Sequence, residues 1–180
     1  MTAGSAHSDY PPTVRVYAPA TLAMLQRLVA DGSLRPANGT VFAVTPTLRE
    51  GYAEGDDEEL AEVARREAAL ASLRLLGHEA DGELPPRRVV VEAEVDDAAT
   101  TLRPDLDDAV VRVAGDLTLS TVIAAYVDNQ AAESAVEAAV DAIDDADLGD
   151  EDAELTVGDA QDHELAWYAP QELPFLLDLL

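Results

Sequence analysis

The sequence predicts an α/β fold: a largely parallel or mixed sheet of about five to six strands with about four helices. These form a single α/β domain over residues 13–180, behind a flexible N-terminal segment of residues 1–12. Three observations lead there. Short β-rich runs alternate with stretches whose apolar residues recur at helical spacing. Several of those stretches open on a capping residue, and one closes on glycine. The length, 180 residues, suits one domain with a core of its own. A two-layer α+β sandwich of ferredoxin type is the alternative that the same pattern allows.

The elements follow in order. Residues 1–12 end in Pro11–Pro12, with neither a basic n-region nor an apolar h-region, so no secretory signal is expected. In "TVRVYAPA", Val14 and Val16 alternate with Arg15 and Tyr17, a strand that Pro19 ends. "TLAMLQRLVADG" places Leu22, Leu25, Leu28 and Val29 on one helix face, with Thr21 as N-cap and Gly32 as stop. "TVFAVTP" is a short apolar run expected to be covered on both faces. Thr45 before Pro46 starts a short helix near 46–53. After Gly55, Asp56 starts a long one near 57–76, whose buried stripe is Leu60, Val63, Ala64, Leu70, Ala71 and Leu75. Glu62 and Arg66 form a supporting pair on its exposed side. "RRVVVEAEVDD" is the clearest strand, with Val89, Val91, Ala93 and Val95 on one face. Residues 98–108 read as irregular, "AVVRVAG" and "STVIAAYVD" as strands. Asp128 or Asn129 caps a helix with the stripe Ala132, Val136, Ala139, Val140 and Ile143. "DDADLGDEDAE" reads as an acidic loop, "HELAWY" as the last strand and "PQELPFLLDLL" as the last helix.

Charge limits the function classes. The formal net charge is -26, and all 11 basic residues are arginine. GC-rich codon usage, adaptation to a salty cytoplasm, and an acidic surface for a basic partner each account for this. All three oppose nucleic-acid binding, which needs a basic footprint. The only adjacent basic pairs are Arg65–Arg66 and Arg87–Arg88. No apolar run approaches the roughly 18 residues of a membrane span. Cysteine is absent, which removes disulfides and thiol catalysis and fits a cytoplasmic chain.

Several stretches together resemble, in order, an uncharacterised family of small acidic actinobacterial proteins. They are "VRVYAPATL", "FAVTPTLREGYAEGDDEEL", "AALASLRLL", "RRVVVEAEV", "YVDN" and "DHELAWYAPQELP", within residues 14–177. The resemblance implies a soluble bacterial protein, cytoplasmic, of no assigned activity, and favours codon usage as the source of the acidity. It also implies a Trp before Tyr52, where this chain has Gly51.

Dinucleotide, P-loop, zincin and nucleophile-elbow motifs are all absent. His163, between Asp162 and Glu164, is read as a strand-edge histidine rather than a general base or metal ligand. Glu92, Glu94 and Asp96 share a strand face and read as the solvated side of an edge strand rather than a cation site. No metal site and no cofactor is assigned. Tyr17, Arg49, Tyr52 and Asp128 fall at strand ends, where open α/β sheets bind ligands. They form the candidate ligand edge, with Arg49 holding an anionic group. Trp167 is read as a core or interface anchor. In the last helix, Leu173, Leu176, Leu177 and Leu180 share the inward face, near Trp167. Phe175 and Leu179 point away and are the candidate interface of a homodimer. The leading function is a non-catalytic cytoplasmic protein acting through protein–protein contact. The alternative is a small-molecule-binding protein or enzyme with its site at the strand C-terminal edge.

Overall fold

The computed structural model describes residues 12–52, 54–79 and 83–180. They form β1 (Thr13–Ala20), α1 (Leu22–Asp31), β2 (Ser33–Leu34), β3 (Thr40–Phe42), α2 (Pro46–Gly51), α3 (Asp57–His78), β4 (Val89–Asp96), β5 (Thr100–Leu102) and β6 (Val110–Val113). Then come β7 (Leu117–Thr118), β8 (Val122–Val127), α4 (Glu133–Asp147), α5 (Glu151–Gln161), β9 (Ala166–Tyr168) and α6 (Leu173–Asp178). The expected flexible segment, residues 1–12, lies outside the described residues except for Pro12. No helix among the described residues is long and apolar enough to cross a membrane.

Seven strands form one sheet in the order β5-β6-β3-β1-β4-β8-β9, and β2 pairs with β7 separately. Every pairing is antiparallel. This corrects the expected parallel or mixed sheet of about five to six strands with about four helices. The described residues hold nine strands and six α-helices. The reason lies in where the crossover lands. β3 and β4 are both antiparallel to β1 and flank it, so they run the same way. The connection through α2 and α3 does join two parallel strands, as strand–helix alternation implies. β1 already occupies the place between them. The two-layer alternative fails as well, because helices cover both faces of the sheet.

Pleating sends alternate residues of each strand to opposite faces. Val16, Ala18 and Ala20 of β1, with Val89, Val91 and Ala93 of β4, pack against Leu22, Leu25 and Leu28 of α1 and Leu173 and Leu176 of α6. Tyr17, Phe42, Val90 and Val110 face the other way, against Leu60, Ala64 and Ala68 of α3. A third cluster joins Leu73 of α3 to Val136, Ala139 and Ile143 of α4 and to Val157 and Ala160 of α5.

The local start signals act as their chemistry requires. Thr21 Oγ1 accepts from the Met24 amide at 3.2 Å. Gly32 closes α1 at φ 79°, a left-handed conformation that favours glycine. Thr45 Oγ1 accepts from the Leu48 amide at 3.0 Å, and Asp56 Oδ1 from the Glu59 amide at 2.9 Å.

Several local expectations need correction. The buried face of α3 is Leu60, Ala64, Ala68, Ala69, Ser72 and Leu73, shifted from the expected stripe because sheet and α4 share this one helix. The expected acidic loop holds the start of α5. Asp150 Oδ1 caps it by accepting from the Ala153 amide at 2.9 Å, and Glu151, Asp152 and Glu154 fill its first turn. Residues 98–108 contain β5, which pairs with β6. Finally, β4 lies inside the sheet rather than at an edge, so Glu92 is buried while Glu94 and Asp96 are exposed.

Candidate functional site

A cleft of about 420 Å³ opens between α3, the strands β4 and β8, and the segment Gln161–Leu165 that joins α5 to β9. Glu62, Arg65, Arg66 and Ala69 line one side. Their spacing of three, four and seven puts them on one helix face. Val90 and Tyr126, cross-strand partners in β4 and β8, supply the floor.

The charged groups at the floor are interlocked. The Arg65 guanidinium lies 5.2 Å from the Tyr126 ring centroid and 5.7 Å from that of Tyr17. Such contacts hold a cation over the negative faces of both rings. Tyr126 Oη donates to Glu92 Oε1 at 2.8 Å, and Arg15 Nε lies 3.3 Å from Glu92 Oε2. Burial, then the hydrogen bond to Glu92 and its charge, push the Tyr126 phenol well above its usual range. Burial raises Tyr17 too, with Glu92 adding to the effect and Arg65 opposing it. Both phenols are therefore neutral under ordinary conditions, and Tyr126 is the one that donates to Glu92.

The opposite wall is anchored from within. Arg88 is 1% exposed and Asp128 is fully buried. Arg88 Nε donates to Asp128 Oδ2 and Nη2 to Asp128 Oδ1, both at 2.8 Å, and the Arg88 amide donates to Oδ2 as well. The rest of the guanidinium reaches the cleft wall: Nη1 donates to Gln161 Oε1 at 3.0 Å and Nη2 to the His163 carbonyl at 2.8 Å. This pair fixes the segment that closes the cleft against α3. No hydrogen bond joins the His163 and Asp162 side chains among the described residues, so the general-base geometry is not assembled.

The four residues of the expected ligand edge separate. Tyr17 sits beneath the cleft, stacked on Arg65, and Asp128 secures its wall through Arg88. Neither lines it. Arg49 and Tyr52 belong to a different, exposed place at the end of α2. Arg49 Nη1 lies 2.6 Å from Asp57 Oδ1. A Cβ at Gly51 would approach only Asp108 Oδ2, at 3.9 Å. Phe175 and Leu179 are 72% and 85% exposed, and Trp167, at 56%, is not a core residue.

A family model described as a family of unknown function, DUF6912, matches residues 14–177. The chain belongs to the DUF6912 family. Every residue of the cleft lies inside that match, so the cleft is part of the DUF6912 domain rather than an appendage to it. No curated protein and no solved structure matches the chain. Sequence reasoning missed Arg65, Arg66, Tyr126 and Arg88 as parts of one site. The signal was the two adjacent arginine pairs: Arg65 and Arg66 line the cleft and Arg88 holds its wall, while Arg87 pairs with Glu133 of α4. The expected Glu62–Arg66 pair is not formed among the described residues.

Proposed function

We propose that this DUF6912 domain binds a small organic molecule with a single anionic group, and that the cleft is its site. One observation carries the reading: two guanidinium groups line the cleft, and among the described residues neither is in an ion pair with a carboxylate that lines it, in a chain with 37 acidic residues. Arg65 has one carboxylate neighbour, Glu58 at 3.7 Å, and Arg66 is in no ion pair among the described residues. Arginine presents a planar fork of donors that matches a carboxylate or phosphate. The cleft volume is in the range of small-molecule sites. Glu62, Asp162 and Glu164 also line it. Their like charge disfavours polyanions, which is why the ligand carries one anionic group. The lack of cysteine fits a cytoplasmic setting for such a protein.

Calorimetry with acetate, succinate, benzoate and inorganic phosphate tests this. Saturable binding of the monoanions acetate and benzoate, tighter than that of the dianions succinate and phosphate, is expected for the wild-type chain and is lost in Arg65→Gln combined with Arg66→Gln. Arg49→Gln is the control, and loss of binding there instead would return the site to α2.

A second reading rests on a separate observation. Phe175 and Leu179 expose apolar surface on α6 while Leu173 and Leu176 are buried. A two-fold homodimer through this face would cover them. Phe175→Asp with Leu179→Asp is then expected to convert a dimer into a folded monomer by light scattering. A wild-type chain that is monomeric at about 100 µM, well above the Kd of specific interfaces, contradicts the dimer.

A further inference from the structure

Trp167 is the only tryptophan in the chain, and the structure leaves it exposed. Its position on β9 sets what it faces. Trp167 is the cross-strand partner of Tyr126 in the antiparallel β8–β9 pair. Directly opposed residues of such a pair share a sheet face, with Cβ atoms about 5 Å apart. Tyr126 lines the cleft. Leu165, two residues before Trp167 and so on the same side of the chain, lines it as well. Trp167 does not itself line the cleft; the register sets it beside Tyr126, one side chain beyond the floor. β9 is the outermost strand, so no further strand of the sheet covers the indole. Across the cleft, Arg65 and Arg66 supply the cationic side.

Resting on the anion-binding reading above, we infer that the ligand is an aromatic or heteroaromatic monoanion: its charged group meets Arg65 and Arg66, and its ring lies against Trp167. Each part has a physical reason. An exposed indole is a large, flat apolar surface, and a second ring laid on it removes both from water. The guanidinium pair fixes the charged end. The carboxylates that line the cleft repel a second negative charge. A ring with one carboxylate meets all three conditions, and an aliphatic anion meets only two.

The single tryptophan makes the test direct, because indole emission reports on this position alone. Titrating the full chain with benzoate or nicotinate is expected to change Trp167 emission saturably, with the midpoint that calorimetry gives. Acetate and succinate are expected to bind at least about tenfold more weakly and to leave the emission unchanged. By calorimetry, Trp167→Ala is expected to lower the affinity for benzoate about tenfold and to leave acetate unaffected, while Trp167→Phe retains most of the aromatic preference. If benzoate binds no better than acetate, or Trp167→Ala leaves benzoate binding unchanged, the aromatic claim falls while the anion site stands. If none of these anions binds, the site itself falls. If the emission instead changes with protein concentration alone, in step with dimerisation by light scattering, Trp167 is a contact between copies and the inference is overturned.

Discussion

Removing the Asp128 carboxylate would leave the Arg88 guanidinium buried at 1% exposure without a counter-charge. Breaking one side of such a pair costs about 3–5 kcal/mol, because the remaining charge stays out of water. Asp128→Ala is expected to lower stability by that order in denaturant melts. A cost below about 1 kcal/mol would mean that the pair is solvated. Tyr126 allows a pH prediction. Its folded phenol titrates above the value near pH 10 of an unfolded tyrosine. Between the two values the unfolded chain releases a proton that the folded chain keeps. The contribution is thus fully present below about pH 10 and is lost as pH rises through the folded value. Urea melts are expected to show stability falling above about pH 10, with a smaller fall in Tyr126→Phe. An unchanged fall in the variant would put the alkaline loss elsewhere. At this scale the sequence exposed residue types well and partners poorly. Asp128 was legible as a residue with a task at a strand end. Its partner Arg88 lies 40 positions away in sequence, and only the β4–β8 pairing brings the two together.

Helix starts were the most legible elements, because a cap acts over three residues. Thr21, Thr45 and Asp56 all cap as their positions predict. Asp56→Ala is expected to cost about 0.5–2 kcal/mol in denaturant melts. A neutral result would mean that α2 and α3 behave as one helix in solution. α5 was hidden by composition: carboxylates that look like a solvated loop are also what the positive end of a helix accepts. Its apolar positions, Ala153, Val157 and Ala160, include two alanines, too small to signal a face. β5, with three residues, is shorter than a recognisable alternating run. In α6 the inward face was legible from four leucines, of which Leu173 and Leu176 are buried and Leu180 is 38% exposed.

At the scale of the whole chain, strand–helix alternation gave the right ingredients and the wrong pairing. The order in which strands enter a sheet is decided by long-range contacts that no local pattern encodes. The candidate cleft has the same origin, assembled from α3, β4, β8 and the segment before β9. Net charge is the whole-molecule property that sequence does settle. At -26, screening should relieve self-repulsion in the folded state. A higher melting temperature is expected in about 1 M NaCl than in about 20 mM, and an equal or lower one would remove repulsion as a stability term. The cleft as an anion site is the central claim, and a crystal structure of the chain grown with saturating benzoate tests it most directly. The account predicts the carboxylate at about 2.7–3.0 Å from the guanidinium nitrogens of Arg65 or Arg66, with the ring against Trp167. Benzoate bound at Arg49, or a cleft holding only water, would contradict it.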